Sequence, residues 1–231
     1  MSSPLAIFEI SWHGHSCFSI YNRVLGIKIY IDPFGPNTGK MTLPKNDADL
    51  VLCTHDHFDH NNFEGVIKWD GVKLVGLIGD RNIMDIKLRG VEAYHDESKG
   101  KIRGKNSLYV IGYGDGVFIH LGDLGHILTD EEISRLQVFG RPHVLFIPVG
   151  GKYTIGPEEA VTVIRQINPN VAIPMHYYSE KLNQTIFSKL YRIEDFTRIW
   201  DGDIKEFDSN KIEIDVNNLP KETTVYVLRY P

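Results

Sequence analysis

The stretch His55-Asp56-His57-Phe58-Asp59-His60 packs three imidazoles and two carboxylates into about one turn's worth of chain. Imidazole nitrogens and carboxylate oxygens are the donors that divalent transition metals take. Bringing them together costs repulsion and desolvation unless a cation compensates. The stretch follows an apolar run, Leu50-Val51-Leu52-Cys53, with Thr54 between. A buried strand therefore opens into a ligand-rich loop. The chemistry this suggests is metal-assisted hydrolysis.

Three more apolar runs end in a candidate ligand. Val91 to Tyr94 leads into His95, Val117 to Leu121 into Gly122-Asp123, and Val171 to Pro174, after Met175, into His176. Layered α/β folds gather their sites outside the carboxyl ends of strands, so these four segments are expected to converge. His55 and His57 are two apart; in an extended segment they point the same way and can share one metal. Asp59 and His60 follow after a turn and aim at a second position. Two metals about 3.5–4 Å apart, helped by a bridging carboxylate, could hold a hydroxide as nucleophile.

The elements that must position these residues follow from periodicity. Ala6 to Trp12, Cys17 to Tyr21 and Val24 to Ile31 read as strands, and Phe34 to Lys45 as a loop. Leu74 to Ile78, Val91 to Tyr94, Val144 to Ile147, Ile212 to Val216 and Thr224 to Leu228 are further short strands. Leu108 to Ile111 and Val117 to Leu121 flank a Gly/Asp-rich hairpin turn. Thr129 to Val138 has capping-box spacing at Thr129 and Glu132. Pro157 to Ile167 is the clearest helix, with Pro157 in the first turn and Ala160, Ile164 and Ile167 at helical spacing. Gln184 to Tyr191 reads as another helix. Strand runs followed by helices suggest layered sheets with helices outside.

His55-x-His57-x-Asp59-His60 resembles the signature of the metallo-β-lactamase superfamily, and the resemblance covers nearly the whole chain. Tyr30-Ile31-Asp32-Pro33 is similar to that family's early strand and aspartate, Gly122-Asp123 to its bridging aspartate, and Pro174-Met175-His176 to its last histidine ligand. Trp12-His13-Gly14-His15-Ser16-Cys17-Phe18, Pro148 to Gly151 and Thr154 to Ala160 look like one branch. That branch contains ascorbate-6-phosphate lactonase and the N-acylphosphatidylethanolamine phospholipase D group. The resemblance implies an α/β fold, a four-layer αββα sandwich of two mixed β-sheets flanked by helices, with the site at one edge. It implies His55, His57 and His95 on one metal, Asp59, His60 and His176 on a second, and Asp123 bridging them. Asp32 would orient a ligand imidazole by accepting its other N–H. At His95 the following Asp96-Glu97 departs from the Gly-His-Thr type context of the glyoxalase and lactamase branches. The implied cofactors are two divalent ions, zinc first, with manganese and iron also compatible with such donors. In the implied reaction a metal-bridged hydroxide attacks an ester, lactone or phosphoester of a small metabolite. Asp59, the catalytic candidate, positions it and accepts its proton.

The remaining candidates have plainer readings. His13 and His15 lack an acidic neighbour in sequence, which suggests a structural or supporting role. His120 alternates with Phe118 and reads as a core histidine; His143 reads as structural. His126, Tyr153 and Tyr177 are candidate substrate-binding groups, with Lys152 and Tyr178 beside them. Gly150-Gly151 reads either as a close backbone approach or as a plain turn. No stretch of linker composition divides residues 1–231, so one domain is expected. The net charge of -5 argues against a nucleic-acid partner, since phosphate binding wants a basic face. Cys17 and Cys53 both lie in apolar segments and read as free thiols of a reduced, cytoplasmic protein. No signal peptide is visible at Met1 to Pro4, and no apolar run reaches the ~20 residues of a membrane span. A small-molecule substrate is thus expected, with no membrane partner; assembly into a homo-oligomer stays open. Competing readings are a phosphodiesterase acting on nucleic acid or lipid headgroups, a di-iron redox protein and a non-catalytic binding module. The di-iron branch typically carries Glu where this chain has His57. An incomplete ligand set would mark the binding module.

Overall fold

The computed structural model of the protein describes residues 3–231. In chain order the first strands are β1 (Ile7–Gly14), β2 (Cys17–Tyr21), β3 (Lys28–Ile31), β4 (Ala48–Cys53) and β5 (Ile67–Val75). Then come β6 (Gly79–Ile83), β7 (Ile86–Tyr94), β8 (Lys105–Tyr113), β9 (Gly116–His120), helix α1 (Asp130–Leu136) and β10 (Val144–Pro148). The last part holds α2 (Pro157–Ile167), β11 (Val171–Met175), α3 (Gln184–Phe187), α4 (Ile193–Thr197), β12 (Ile204–Phe207), β13 (Lys211–Asp215) and β14 (Thr224–Leu228). One sheet has the order β13-β1-β2-β3-β4-β5; the other has β12-β14-β11-β10-β9-β8-β7-β6. Both are mixed. β3, β4 and β5 pair in parallel, as do β9, β10, β11, β14 and β12, while the remaining pairs are antiparallel.

The inner faces meet in one core. Phe8, Ile10, Phe18, Ile20, Leu50 and Leu52 from the first sheet pack with Leu108, Val110, Phe118, Phe146 and Ile173 from the second. The period of two sends Val51 and Cys53 to the opposite face of β4, under Phe34, Phe63, Met41 and Leu43. The layered sandwich is therefore present, with α1 against β7 and β8 and α2 against β10. Loop segments around 34–47 and 61–67 cover the outer face of the six-stranded sheet. Cys17 and Cys53 are both free and buried there. Among the described residues no helix is long and apolar enough to cross a membrane.

α1 and α2 form where the spacing suggested. Thr129 Oγ1 accepts the Glu132 N–H, and Glu132 Oε2 accepts the Thr129 N–H. α2 starts at Pro157 and ends on Asn168, whose φ of 51° stops it. Other runs are shorter than their composition suggests. Asn22 Oδ1 accepts the N–H groups of Val24 and Leu25, so a turn overrides their β-propensity and β3 starts at Lys28. The run Leu74 to Ile78 breaks at Gly76 (φ 58°), where the chain leaves one sheet for the other. α3 stops at Phe187, and Tyr191 N–H is drawn to the carbonyl of Gly150.

Candidate metal centre

β1, β3 and β4 run one way in their sheet, and β7, β9, β10 and β11 run one way in theirs. Their carboxyl ends carry His15, Asp32, His55, His95, Asp123 and His176. His15, Asp32 and His176 take left-handed φ values of 52°, 49° and 54°. Such strained backbone at non-glycine positions costs on the order of 1–3 kcal/mol each and concentrates at functional sites. Gly122 (φ 52°) turns β9 into Asp123; a Cβ there would meet Asn106 Oδ1 at 2.4 Å and Thr54 Oγ1 at 2.7 Å.

The donors fall into adjoining groups. One atom each from His55, His57 and His95 lie within 4.8 Å of one another, and so do one each from Asp59, His60, His176 and His15. Asp123 joins them: Oδ1 is 3.2 Å from His60 Nε2, and Oδ2 is 3.0 Å from His95 Nε2 and 3.3 Å from His176 Nε2. The sequence-derived ligands are thus all in one place, His95 included. The surprise is His15. Its Nε2 lies 3.1 Å from Asp59 Oδ2 and its ring centroid 4.0 Å from that of His176. The Trp12 indole and the His176 N–H both donate to the His15 carbonyl. A His-x-His pair alone signalled this weakly, because its acidic partner sits 44 residues away.

Asp32 does what an orienting carboxylate should. Its Oδ1 accepts the Thr54 N–H at 2.7 Å and its Oδ2 the Thr54 hydroxyl at 2.8 Å, while Oδ2 lies 3.0 Å from His60 Nδ1. Since the Thr54 hydroxyl donates to Asp32, it accepts from His55 Nδ1–H at 2.9 Å. His55 Nε2 is then a bare lone pair facing the cluster, buried and without a hydrogen-bond partner. His60 Nε2, His176 Nε2 and Asp123 Oδ1 are likewise buried without one. Buried imidazole and carboxylate atoms left unpaired and converging in adjoining groups fit divalent ions, which would satisfy them.

Charge follows burial. Burial, with His60 close by, holds His55 down at about 3, so its imidazole is neutral and able to ligate. Burial works against a charged His60, yet Asp123, Asp59 and Asp32 around it push its value well above the usual histidine range. Asp123 and Asp59 are both held below the usual carboxylate range, against the effect of burial, by His176 and His60 for the first and by His60 and His15 for the second.

A cavity of about 430 Å³ opens over the cluster, lined by Asp56, His57, Phe58, Asp59, His95, Arg103, Asp123, Tyr153, His176, Ile186 and Phe187. Tyr153 is the proposed substrate-binding residue that the structure places there. His126 lies outside it: Nε2 accepts the Tyr94 N–H and Nδ1 faces the Ile127 carbonyl, so its ring pins the chain after Asp123 to β7. Tyr177 also lies outside it, buried between Trp12 and Tyr230. Asp56 and Phe58 also line the cavity, and Arg103 carried no sequence signal at all. His120 is a core histidine, with Nε2 at 2.9 Å from the Ser16 carbonyl and Nδ1 accepting the Gly122 N–H. His143 Nδ1 accepts the Val117 N–H. His13 stacks on Tyr30 and pairs with Ser19, away from the cavity.

Comparison with known proteins places this geometry. The profile of the Beta-lactamase superfamily domain matches residues 9–176. A UPF0173 metal-dependent hydrolase of Methanopyrus kandleri is 32% identical over 197 residues, covering 73% of this chain and 84% of the relative. A UPF0173 protein of Pyrococcus furiosus is 32% identical over 209 residues, covering 83% and 93%. A crystal structure from Thermotoga maritima, provisionally assigned as a Zn-dependent hydrolase of the metallo-β-lactamase superfamily, superposes with a TM-score of 0.73. It is 32% identical and covers 96% of this chain and 100% of its own. With a profile match over more than half its length and relatives above 30% identity, the chain belongs to the UPF0173 metal-dependent hydrolases of the metallo-β-lactamase superfamily.

Proposed function

We propose that the protein hydrolyses an ester, lactone or phosphoester of a small metabolite at this cluster. The observation that carries the reading is the pair of donor groups joined by Asp123 on the floor of an open cavity. His55, His57 and His95 would hold one ion and Asp59, His60 and His176 the other, zinc suiting such imidazole-rich donors best. Bound ions supply Lewis acidity and bring the pKa of water toward neutrality. The chain supplies orientation. Asp59 stays ionised into acid pH, so its carboxylate accepts a hydrogen bond from the attacking water and aims it, while His15 fixes Oδ2. Its weak basicity favours aiming over taking the proton. Phe58, Ile186 and Phe187 make apolar walls that keep bulk water from the substrate body. A half-enclosed cavity and a net charge of -5 favour a small substrate over nucleic acid.

The test is elemental analysis of protein purified without chelator, followed by lactone, thioester and phosphodiester screens. About two ions per chain and turnover of one class are expected. His57→Ala and Asp123→Ala should lose metal and turnover together; full activity in both would sink the reading.

A further inference from the structure

One wall of the cavity carries a guanidinium. Arg103 lines the cavity, half-buried, with its guanidinium carbon 5.6 Å from the Tyr153 ring centroid. Among the described residues no carboxylate lies within 4.0 Å of it. By contrast, Arg89 and Arg165 are bonded to Asp80 and Asp201.

The position of Arg103 is built. Asp96 accepts four backbone N–H groups, from Ser98, Gly100, Ile102 and Arg103, and so winds residues 96–103 into a fixed turn. The next residue, Gly104, accepts the His95 N–H at 3.1 Å. One turn therefore sets both a candidate metal ligand and the guanidinium. Lys152 adds a second positive charge, with Nζ 4.5 Å from the Tyr153 ring centroid and bonded to the Ile186 carbonyl. Phe58, Ile186 and Phe187 line the rest of the cavity with apolar surface, Ile186 and Phe187 next to Tyr153, and Phe58 is 45% exposed. A guanidinium presents a planar fork of donors matched to carboxylate or phosphate.

Resting on the hydrolase reading, we propose that Arg103 anchors an oxyanion on the substrate, so that this site takes compounds with an apolar body ending in a carboxylate or phosphate. The reacting bond lies over the cluster and the acidic end at Arg103.

The test uses the metal-loaded full chain as wild type, Arg103→Met and Arg103→Lys, with equal metal content checked first. Calorimetry compares 4-phenylbutanoate and 3-phenylpropylphosphonate, which has no ester bond to cleave, with the neutral 4-phenylbutanamide. Wild type should bind the acids about tenfold or more tightly than the amide, Arg103→Met should lose that preference, and Arg103→Lys should keep part of it. The tighter acid identifies the oxyanion. Unchanged acid preference in Arg103→Met would overturn the proposal, since the anions would then sit on the metals alone. So would wild type that binds acid and amide equally. An Arg103-dependent preference in a protein that hydrolyses nothing would support the anchor and remove the hydrolase reading.

Discussion

His15 and Asp32 show how much of a metal centre lies in residues that need not touch the metal. Each sits just past a strand end with positive φ and holds candidate ligands in place: His15 holds Asp59, and Asp32 holds His60 and, through Thr54, His55. Asparagine tolerates this backbone, so Asp32→Asn removes the charge and leaves the turn. Metal affinity should fall roughly 10–100-fold, read by competition with a chelator, with little change in fold. His15→Ala should cost a similar roughly 10–100-fold in affinity. His15→Gln, which keeps a donor for Asp59, should restore part of it. Unchanged affinity in His15→Ala would reduce His15 to packing against His176 and Phe187.

At the scale of elements, the ligand loops are held by backbone passing close to backbone. A Cβ on Gly125 would meet the His95 carbonyl carbon at 2.4 Å, and one on Gly150 the His176 carbonyl oxygen at 1.9 Å. Gly150 is thus a close approach, and what it approaches is the chain bearing the last histidine. Gly125→Ala should push the His95 turn outward and lower both metal content and the urea midpoint, although it alters no ligand. Thr129→Ala offers the contrast. It removes one half of the α1 capping box, remote from the cavity, and should cost about 1 kcal/mol of stability with metal content intact. The β6–β7 hairpin was hidden in the sequence for a local reason. Its turn is Met84-Asp85, both at positive φ, where Asn-Gly would have announced it.

For the whole molecule, His13, partly buried against Tyr30 and Ser19, must stay neutral, and this ties stability to pH. Burial, with Lys28 and Lys211 nearby and Asp47 opposing them, holds His13 at about 4. An unfolded histidine titrates near 6.5. Above that value His13 is neutral in both states and contributes no pH dependence. Between about 6.5 and 4 the unfolded chain takes a proton that the folded chain refuses, so stability falls as pH falls. The urea midpoint of wild type should drop across that window more steeply than that of His13→Gln; parallel curves would count against it. The candidate donor set was legible in the sequence because it is local: His55 to His60 is contiguous, and His95, Asp123 and His176 each end an apolar run. Helices α1 and α2 were legible through their caps and periodicity for the same reason. What only the tertiary structure decided is which distant groups face one another. His15 meets Asp59 across 44 residues, Arg103 reaches the cavity through a turn wound on Asp96, and His126 and Tyr177 turn away from it. Sequence spacing fixes the direction of a side chain relative to its own strand. Its partner depends on how two twisted sheets are laid together, and that is set by the shared core.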